Sequence, residues 1–217
     1  LIDFDELKSV LRDDTILVSA MLANNETGVI QPIKEIAELS HGVGALFMSD
    51  ATQAVGKIAV NVDELGIDLL CLSGHKLYAP KGVGALYVRQ RMNRVKIPAL
   101  LHGGGHEKGL RSGTLNVPGI VALGEACATA KRELSKNAES INALRDYLET
   151  ELLKIEGTSV NGNIAARLFN TSNILFHGVD SDAIIIGLSN PETDLPLIAV
   201  SNGSACTSAS IEPSHVL

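Results

Sequence analysis

Short apolar runs recur through the first half of the chain, each closed by a polar or glycine-bearing stretch. TILVSAM (Thr15 to Met21), ALFMS (Ala45 to Ser49), IDLLCL (Ile67 to Leu72) and GALYV (Gly84 to Val88) are continuous rather than alternating. Such runs predict strands buried on both faces, the mark of a mostly parallel sheet. Helical spacing fills the gaps: residues 3–12 read as a short amphipathic helix. Pro32 can open a second helix that carries Ile33, Ile36, Ala37 and Leu39 on one side. The expectation is an α/β fold with both sheet faces covered, and with ligands at the carboxyl ends of the strands.

After Gly103-Gly104-Gly105 the texture changes. A long helical stretch runs from Asn116 to about Ile155, with a break expected near Asn137. Thr171 to Phe176 and Leu197 to Ser201 follow as strands, with Asp182 to Leu188 as a helix between them. This predicts a large unit over residues 1–125 and a smaller α+β unit over residues 126–217.

Composition removes several functions. Hydrophobic residues make up 45% of the chain and charged ones 20%, which is enough for a packed core and too apolar for disorder. A net charge of −7 without a basic block speaks against direct nucleic-acid binding. No apolar run reaches membrane-spanning length, so no membrane partner is expected. The three cysteines, Cys71, Cys127 and Cys206, lie far apart and form no CxxC, so neither a disulfide framework nor a zinc site is expected. Reduced thiols in a cytoplasm are the simpler reading. The chain opens on Leu1 and stops at Val216-Leu217, inside what reads as a helix start, which predicts a piece of a longer protein.

Four polar clusters carry the candidate chemistry. Asn24-Asn25-Glu26-Thr27-Gly28, Asp50-Ala51-Thr52-Gln53 and Ser73-Gly74-His75-Lys76 each follow a predicted strand. The fourth runs from Ser201 through Cys206 to Ser208. Taken singly, each has an ordinary explanation. Lys76 reads as a solvated charge, Asp50 and Asn25 as turn formers, Thr114 as a helix cap and His75 as a satisfied partly buried ring. Together they offer an amine able to form a Schiff base, an acid for a ring nitrogen, amides for a phenolic oxygen, and a hydroxyl and imidazole for a phosphate. Cys71 and Cys127 sit in apolar runs and read as core thiols. Cys206 sits among small residues and reads as an accessible thiol on a mobile loop.

NNETG, DATQ, SGHK, GGGHEKGLRSGTLN (Gly103 to Asn116) and GSACTSAS (Gly203 to Ser210) occur in one order along nearly the whole chain. In this the chain resembles the cysteine desulfurases of the NifS/IscS type, class V aminotransferases with the type I pyridoxal-phosphate transferase fold. The resemblance implies that residues 1–125 belong to the large cofactor-binding domain and 126–217 to the small domain, both incomplete. Lys76 would hold pyridoxal 5′-phosphate as a Schiff base. Asp50 would pair with the ring nitrogen and Gln53 with the phenolic oxygen, while Asn25 would lie near the ring. Ser73 and His75 would bind the phosphate, and Thr114 would reach the phosphate of a neighbouring subunit, so a homodimer is implied.

Cys206 would take sulfur from L-cysteine as a persulfide, releasing alanine, and pass it to an acceptor such as an iron–sulfur scaffold or a thiolation protein. No metal site is implied beyond Cys206 as a transient iron–sulfur ligand shared with a scaffold. The chain departs from the family pattern in a long Ser189 to Leu197 connection and in Asn202, where serine is expected; a DNA phosphorothioation acceptor fits these departures. A class V aminotransferase or selenocysteine lyase is the alternative on the same fold. A non-catalytic dimerisation or scaffold-binding fragment is the alternative outside it.

Overall fold

A computed structural model of the protein describes residues 1–91, 95–192, 196–203, 214, 216 and 217. Helix α1 (Phe4–Val10) opens on Asp3, whose carboxylate accepts from the Asp5 and Glu6 backbone N–H groups at 2.8 and 3.0 Å. That satisfies two of the donors a helix start leaves open. Strand β1 (Leu17–Met21) leads through a loop to α2 (Ile33–Gly42), which starts directly after Pro32. Strand β2 (Leu46–Asp50) follows, then β3 (Leu69–Ser73), a 3-10 turn (Gly74–Leu77) and β4 (Gly84–Val88). The four strands form one sheet in sequence order. The first two pairings are parallel, and β4 closes the edge antiparallel to β3.

The register sorts the side chains by face. Val18, Phe47 and Leu70 turn toward α2, and Phe47, Ile33, Ile36 and Ile67 are fully enclosed there. Each contributes about 1.5–3 kcal/mol by leaving water. The opposite face carries Leu17, Met48, Asp50, Cys71 and Leu86, and it is half open, with Leu17 44% and Leu86 51% exposed. Cover on both faces was expected, so this is a difference. The β1-to-β2 crossover places α2 on one side only, and residues 51–68, between β2 and β3, fold into turns rather than a helix.

Helix α3 (Val117–Leu152) is capped by Asn116, which accepts from Gly119 N–H at 3.2 Å; Thr114 is not the cap. The helix does not break at Asn137. One residue of modest propensity costs at most ~0.7 kcal/mol, and no proline interrupts the ladder. A second, two-stranded sheet pairs β5 (Thr158–Val160) with β6 (Ile174–Phe176), and α4 (Ser181–Leu188) follows, capped by Asp180. The strand expected at Leu197 to Ser201 does not form among the described residues. Leu197, Ile198 and Val200 are exposed, and the run finds no strand edge to pair with.

Two buried ion pairs tie these parts together. Asp68 accepts from Phe47 N–H at 2.9 Å and also meets His41 and Arg89, joining α2, β2 and the end of β4. Glu149 on α3 grips Arg167 bidentately at 2.7 and 2.8 Å. Burial pushes the Glu149 carboxyl up, but the hydrogen bonds and charge of Arg167, with the charge of Arg145, outweigh it and hold the carboxyl below its ordinary value. A depressed folded pKa means the contribution is full above the unfolded value and is lost as pH falls through the folded one. Glu149→Ala leaves the Arg167 guanidinium, 2% exposed, without its counter-ion. The substitution is expected to cost roughly 3 kcal/mol or more in urea unfolding at pH 7. Repeating the comparison toward pH 3 should narrow the difference, and an equal difference at both pH values would contradict the assignment.

Candidate active site

Three parallel strands end at one edge, and the candidate residues stand just beyond it. Asp50 is the last residue of β2, level with Met21 of β1 and Cys71 of β3. Leu22 N–H donates to Asp50 O and Ala51 N–H to Cys71 O, so the strand ends stay joined past the regular ladder. The site therefore sits at the carboxyl ends of parallel strands, where open α/β sheets bind ligands.

In the loop after β1, Asn24 is the turn former. Its side-chain oxygen accepts from Glu26 N–H, Thr27 N–H and Thr27 Oγ1 at 2.9, 2.8 and 3.0 Å. The neighbouring Asn25 amide takes no part in this turn and has no side-chain partner among the described residues. Asp50 likewise spends one carboxylate oxygen on Thr52 N–H, at 2.8 Å. The Gln53 side chain, in the same turn, has no partner among the described residues.

Lys76 lies in the 3-10 turn directly after β3 and is exposed. Two close approaches fix this turn. A Cβ on Gly74 would lie 2.9 Å from Val83 O, and one on Gly56 (φ +79°) 2.4 Å from Leu77 Cδ2. Only glycine lets the 51–58 turn and the Lys76 turn press together. Ser73 Oγ and His75 Nδ1 are hydrogen-bonded at 2.8 Å. With the hydroxyl donating, the ring's other nitrogen carries its proton outward, toward an incoming anion. Thr114 is exposed on the loop before α3, and no contact among the described residues brings it to this cluster. Cys206 lies outside the described residues.

Two residues passed over in the sequence belong to this region. Lys57 donates to Gln53 O at 3.0 Å. Burial lowers its amine pKa, and the charge of Lys76 lowers it further, so the two lysines are electrostatic neighbours. The spacing of four from Gln53 within one turn was the available signal. The other is Glu26, a buried acid inside a motif otherwise read for its asparagines.

Cys71 and Cys127 are free thiols, and both are half-buried rather than enclosed, because Cys71 faces the open side of the sheet and Cys127 the rim of the α3 contact. Burial pushes the Cys71 thiol up, and the Asp50 charge beside it adds to that. A cavity of about 1010 Å³ lined by Ile2, Met21, Gln31, Asn163 and Leu217 borders Asn24 and Thr27 of the turn after β1 but none of Asn25, Asp50, Gln53, Ser73, His75 and Lys76. Among the described residues, no three His, Cys, Asp or Glu side chains are grouped to hold a metal ion. No helix there is long and apolar enough to cross a membrane.

The Cys71 shift gives a direct test. At pH 8, iodoacetamide should label Cys71 more slowly than Cys127, read peptide by peptide by mass spectrometry. Asp50→Asn should speed Cys71 and leave Cys127 unchanged; an unchanged Cys71 rate in that variant would show that the carboxylate does not act on the thiol.

A family model described as "Aminotransferase class-V" matches residues 1–217. The chain is 54% identical over 217 residues to "Cysteine desulfurase IscS" of Histophilus somni (strain 2336), covering all of this chain and 52% of that protein. It therefore spans about half the length of the curated relatives it matches. Among solved structures, a NifS-like protein from Rickettsia africae ESF-5 superposes with a TM-score of 0.83 at 35% identity, over 98% of this chain and 57% of the other. DndA from Streptomyces lividans gives 0.76 at 38% identity, over 86% of this chain and 53% of the other.

Proposed function

The chain belongs to the class-V aminotransferase family, and we propose that its protein is a pyridoxal-phosphate-dependent cysteine desulfurase. The observation that carries this is the place of Asp50 at the end of β2, in register with β3, which runs straight into the Lys76 turn, with the Asn25 and Gln53 side chains in the neighbouring loops without partners among the described residues. An amine, a carboxylate, two amides and a Ser73–His75 pair form a donor set that fits pyridoxal phosphate. Bound there, the cofactor supplies an electron sink for bonds broken next to the substrate nitrogen.

Each residue then has a task. Lys76 would hold the cofactor through its amine, and the same amine would move the substrate α-proton. The carboxylate of Asp50 keeps the ring nitrogen protonated, and Gln53 hydrogen-bonds the phenolic oxygen. Asn25 lies near the ring and the substrate carboxylate. Ser73 and His75 bind the phosphate, joined by Thr114 from a neighbouring subunit of a homodimer. The Cys206 thiolate attacks the sulfur of L-cysteine: a sulfur–sulfur bond forms, the substrate carbon–sulfur bond breaks, and its electron pair ends as a C–H bond of alanine after proton uptake. The persulfide sulfur then passes to an acceptor protein, such as an iron–sulfur scaffold or a thiolation protein, in the cytoplasm. Residues 1–125 form part of the cofactor domain and residues 126–217 part of the small domain.

The full-length protein tests this. After incubation with pyridoxal phosphate and L-cysteine, peptide mapping should find one added sulfur on Cys206, with alanine released. Lys76→Ala should lose the yellow absorbance band of the bound cofactor. Cys206→Ser should keep the band and form no persulfide. Sulfur on Cys71 or Cys127 would identify another nucleophile, alanine formed at full rate without Cys206 would point to a lyase reaction, and a sulfur-bearing keto acid would point to an aminotransferase.

A further inference from the structure

Lys57 has no part in the proposed chemistry, yet it is a half-buried cation next to the site. Its Nζ donates to Gln53 O at 3.0 Å, and among the described residues no carboxylate pairs with it. A lysine ammonium is a compact, strongly hydrated charge, and taking it out of water without a counter-ion is costly. One carbonyl oxygen meets one of its three donors. Asp50 gives no relief by direct contact. It accepts from Thr52 N–H, and among the described residues it forms no ion pair with Lys57 or Lys76.

The backbone gives this charge little room to move away. Ala54 and Val55 N–H both donate to Ala51 O, and Lys57 and Ile58 N–H both donate to Ala54 O, so residues 51–58 wind into tight turns. Ala51 N–H donates to Cys71 O and joins these turns to β3. A Cβ on Gly56 would lie 2.4 Å from Leu77 Cδ2 and 3.1 Å from Ala130 Cβ, so the segment is wedged between the Lys76 turn and α3. Val55, Leu72, Leu77 and Ala130 share the apolar cluster that closes this contact. Gly56 precedes Lys57 and Leu77 follows Lys76, so the packing holds the two lysines as neighbours. The Lys76 charge is felt at the Lys57 amine, which it lowers in addition to the effect of burial.

We propose that Lys57 is the second cation of the cofactor site: held on the Gln53 carbonyl, it supplies the positive charge by which the site takes up a phosphate-bearing ligand. The proposal rests on the desulfurase reading for the identity of that ligand, and on the packing of the two lysine turns for the preference for an anion. A hydroxyl such as that of Ser73 brings no charge, and an imidazole such as that of His75 brings one only when protonated. A lysine binds phosphate as a point charge, and an anion here would take up the donors that Gln53 O leaves open. It would also relieve the repulsion that the packed turns impose on Lys57 and Lys76.

The test uses the full-length protein freed of cofactor, as parent, Lys57→Met, Lys57→Arg and Lys76→Met. The first readout needs neither cofactor nor turnover. Acetylation of Lys57 by acetic anhydride, mapped by mass spectrometry, should slow roughly twofold or more when inorganic phosphate replaces chloride at equal ionic strength. Lys34, exposed on α2, should keep its rate. Lys76→Met should also slow Lys57, because removing the neighbouring charge raises its amine and leaves less of it neutral. The second readout is binding. Lys57→Met should weaken pyridoxal phosphate about tenfold, the scale of one charge-assisted hydrogen bond, yet change pyridoxal, which lacks the phosphate, by less than about threefold. Lys57→Arg keeps the charge and should stay within about threefold of the parent for both compounds. Equal weakening of both compounds in Lys57→Met would assign the lysine to holding the Gln53 turn alone, and overturns the proposal. A Lys57 acetylation rate that ignores phosphate in the parent overturns it too, and that result needs no variant to fold. If phosphate slows Lys57 but the parent binds no pyridoxal phosphate, the desulfurase reading falls and the anion site stands.

Discussion

Parallel pairing sets Met21, Asp50 and Cys71 level across three strands, and everything at the carboxyl edge takes its position from that register. Because side chains alternate, a slip of one residue in β2 would turn Asp50 toward α2 and Ser49 toward the open face. Phe47 prevents the slip. It is fully enclosed against α2, and its N–H is claimed by the buried Asp68 carboxylate at 2.9 Å. Moving Phe47 would expose a large aromatic and strip a buried charge of a donor. The hydrophobic face thus fixes the polar one, and a core contact decides where an acid meets a ligand.

The second half of the chain reaches the site through the NNETG turn rather than through the sheet. Ile30 N–H donates to Ala166 O and Leu168 N–H to Gly28 O, so residues 166–168 line the outer side of that turn. Arg167, between them, is gripped by Glu149 of α3, and Arg145 donates to Leu168 O at 2.9 Å. A pair this buried adds little net stability over an apolar replacement, but it is costly to break. Its effect here is geometric: it fixes α3 to the strip that lines the turn. The position of Asn25 therefore depends on a helix that shares no strand with it.

Much of this was legible in the chain itself. Continuous apolar runs with polar ends matched β1 to β4 within two residues, although only one face of the sheet is fully covered. Asp50 and Lys76 stood out only in company, because each alone reads as a turn former or a solvated charge. The other misses have physical causes. β5 is three residues long, too short to show a period. Leu197 to Ser201 has strand composition, but a strand needs a partner edge, and no local pattern encodes one. Asn24 and Asn25 are the same residue type side by side, and only the fold separates the one that shapes the turn from the one with no side-chain partner among the described residues. Lys57 was hidden because its meaning depends on Gly56 packing against Leu77, a contact between residues far apart in sequence.

The charges at this edge carry one more consequence. Lys57 and Lys76 are close enough for the Lys76 charge to lower the Lys57 amine, on top of the effect of its burial. Two neighbouring ammonium groups repel each other, and Asp50 spends a carboxylate oxygen on Thr52 N–H and sits beside the Cys71 thiol. A fold that keeps such a cluster gains from any anion that enters it, because the anion relieves the repulsion between the two ammonium groups. A phosphate-bearing cofactor is such an anion, and in the proposed reading its ring nitrogen would meet Asp50 at the same edge. Viewed this way, Lys57 and Lys76 do not compete with Asp50. In the proposed reading Lys76 would bond the cofactor through its amine, Lys57 adds positive charge beside it, and Asp50 would take the ring nitrogen.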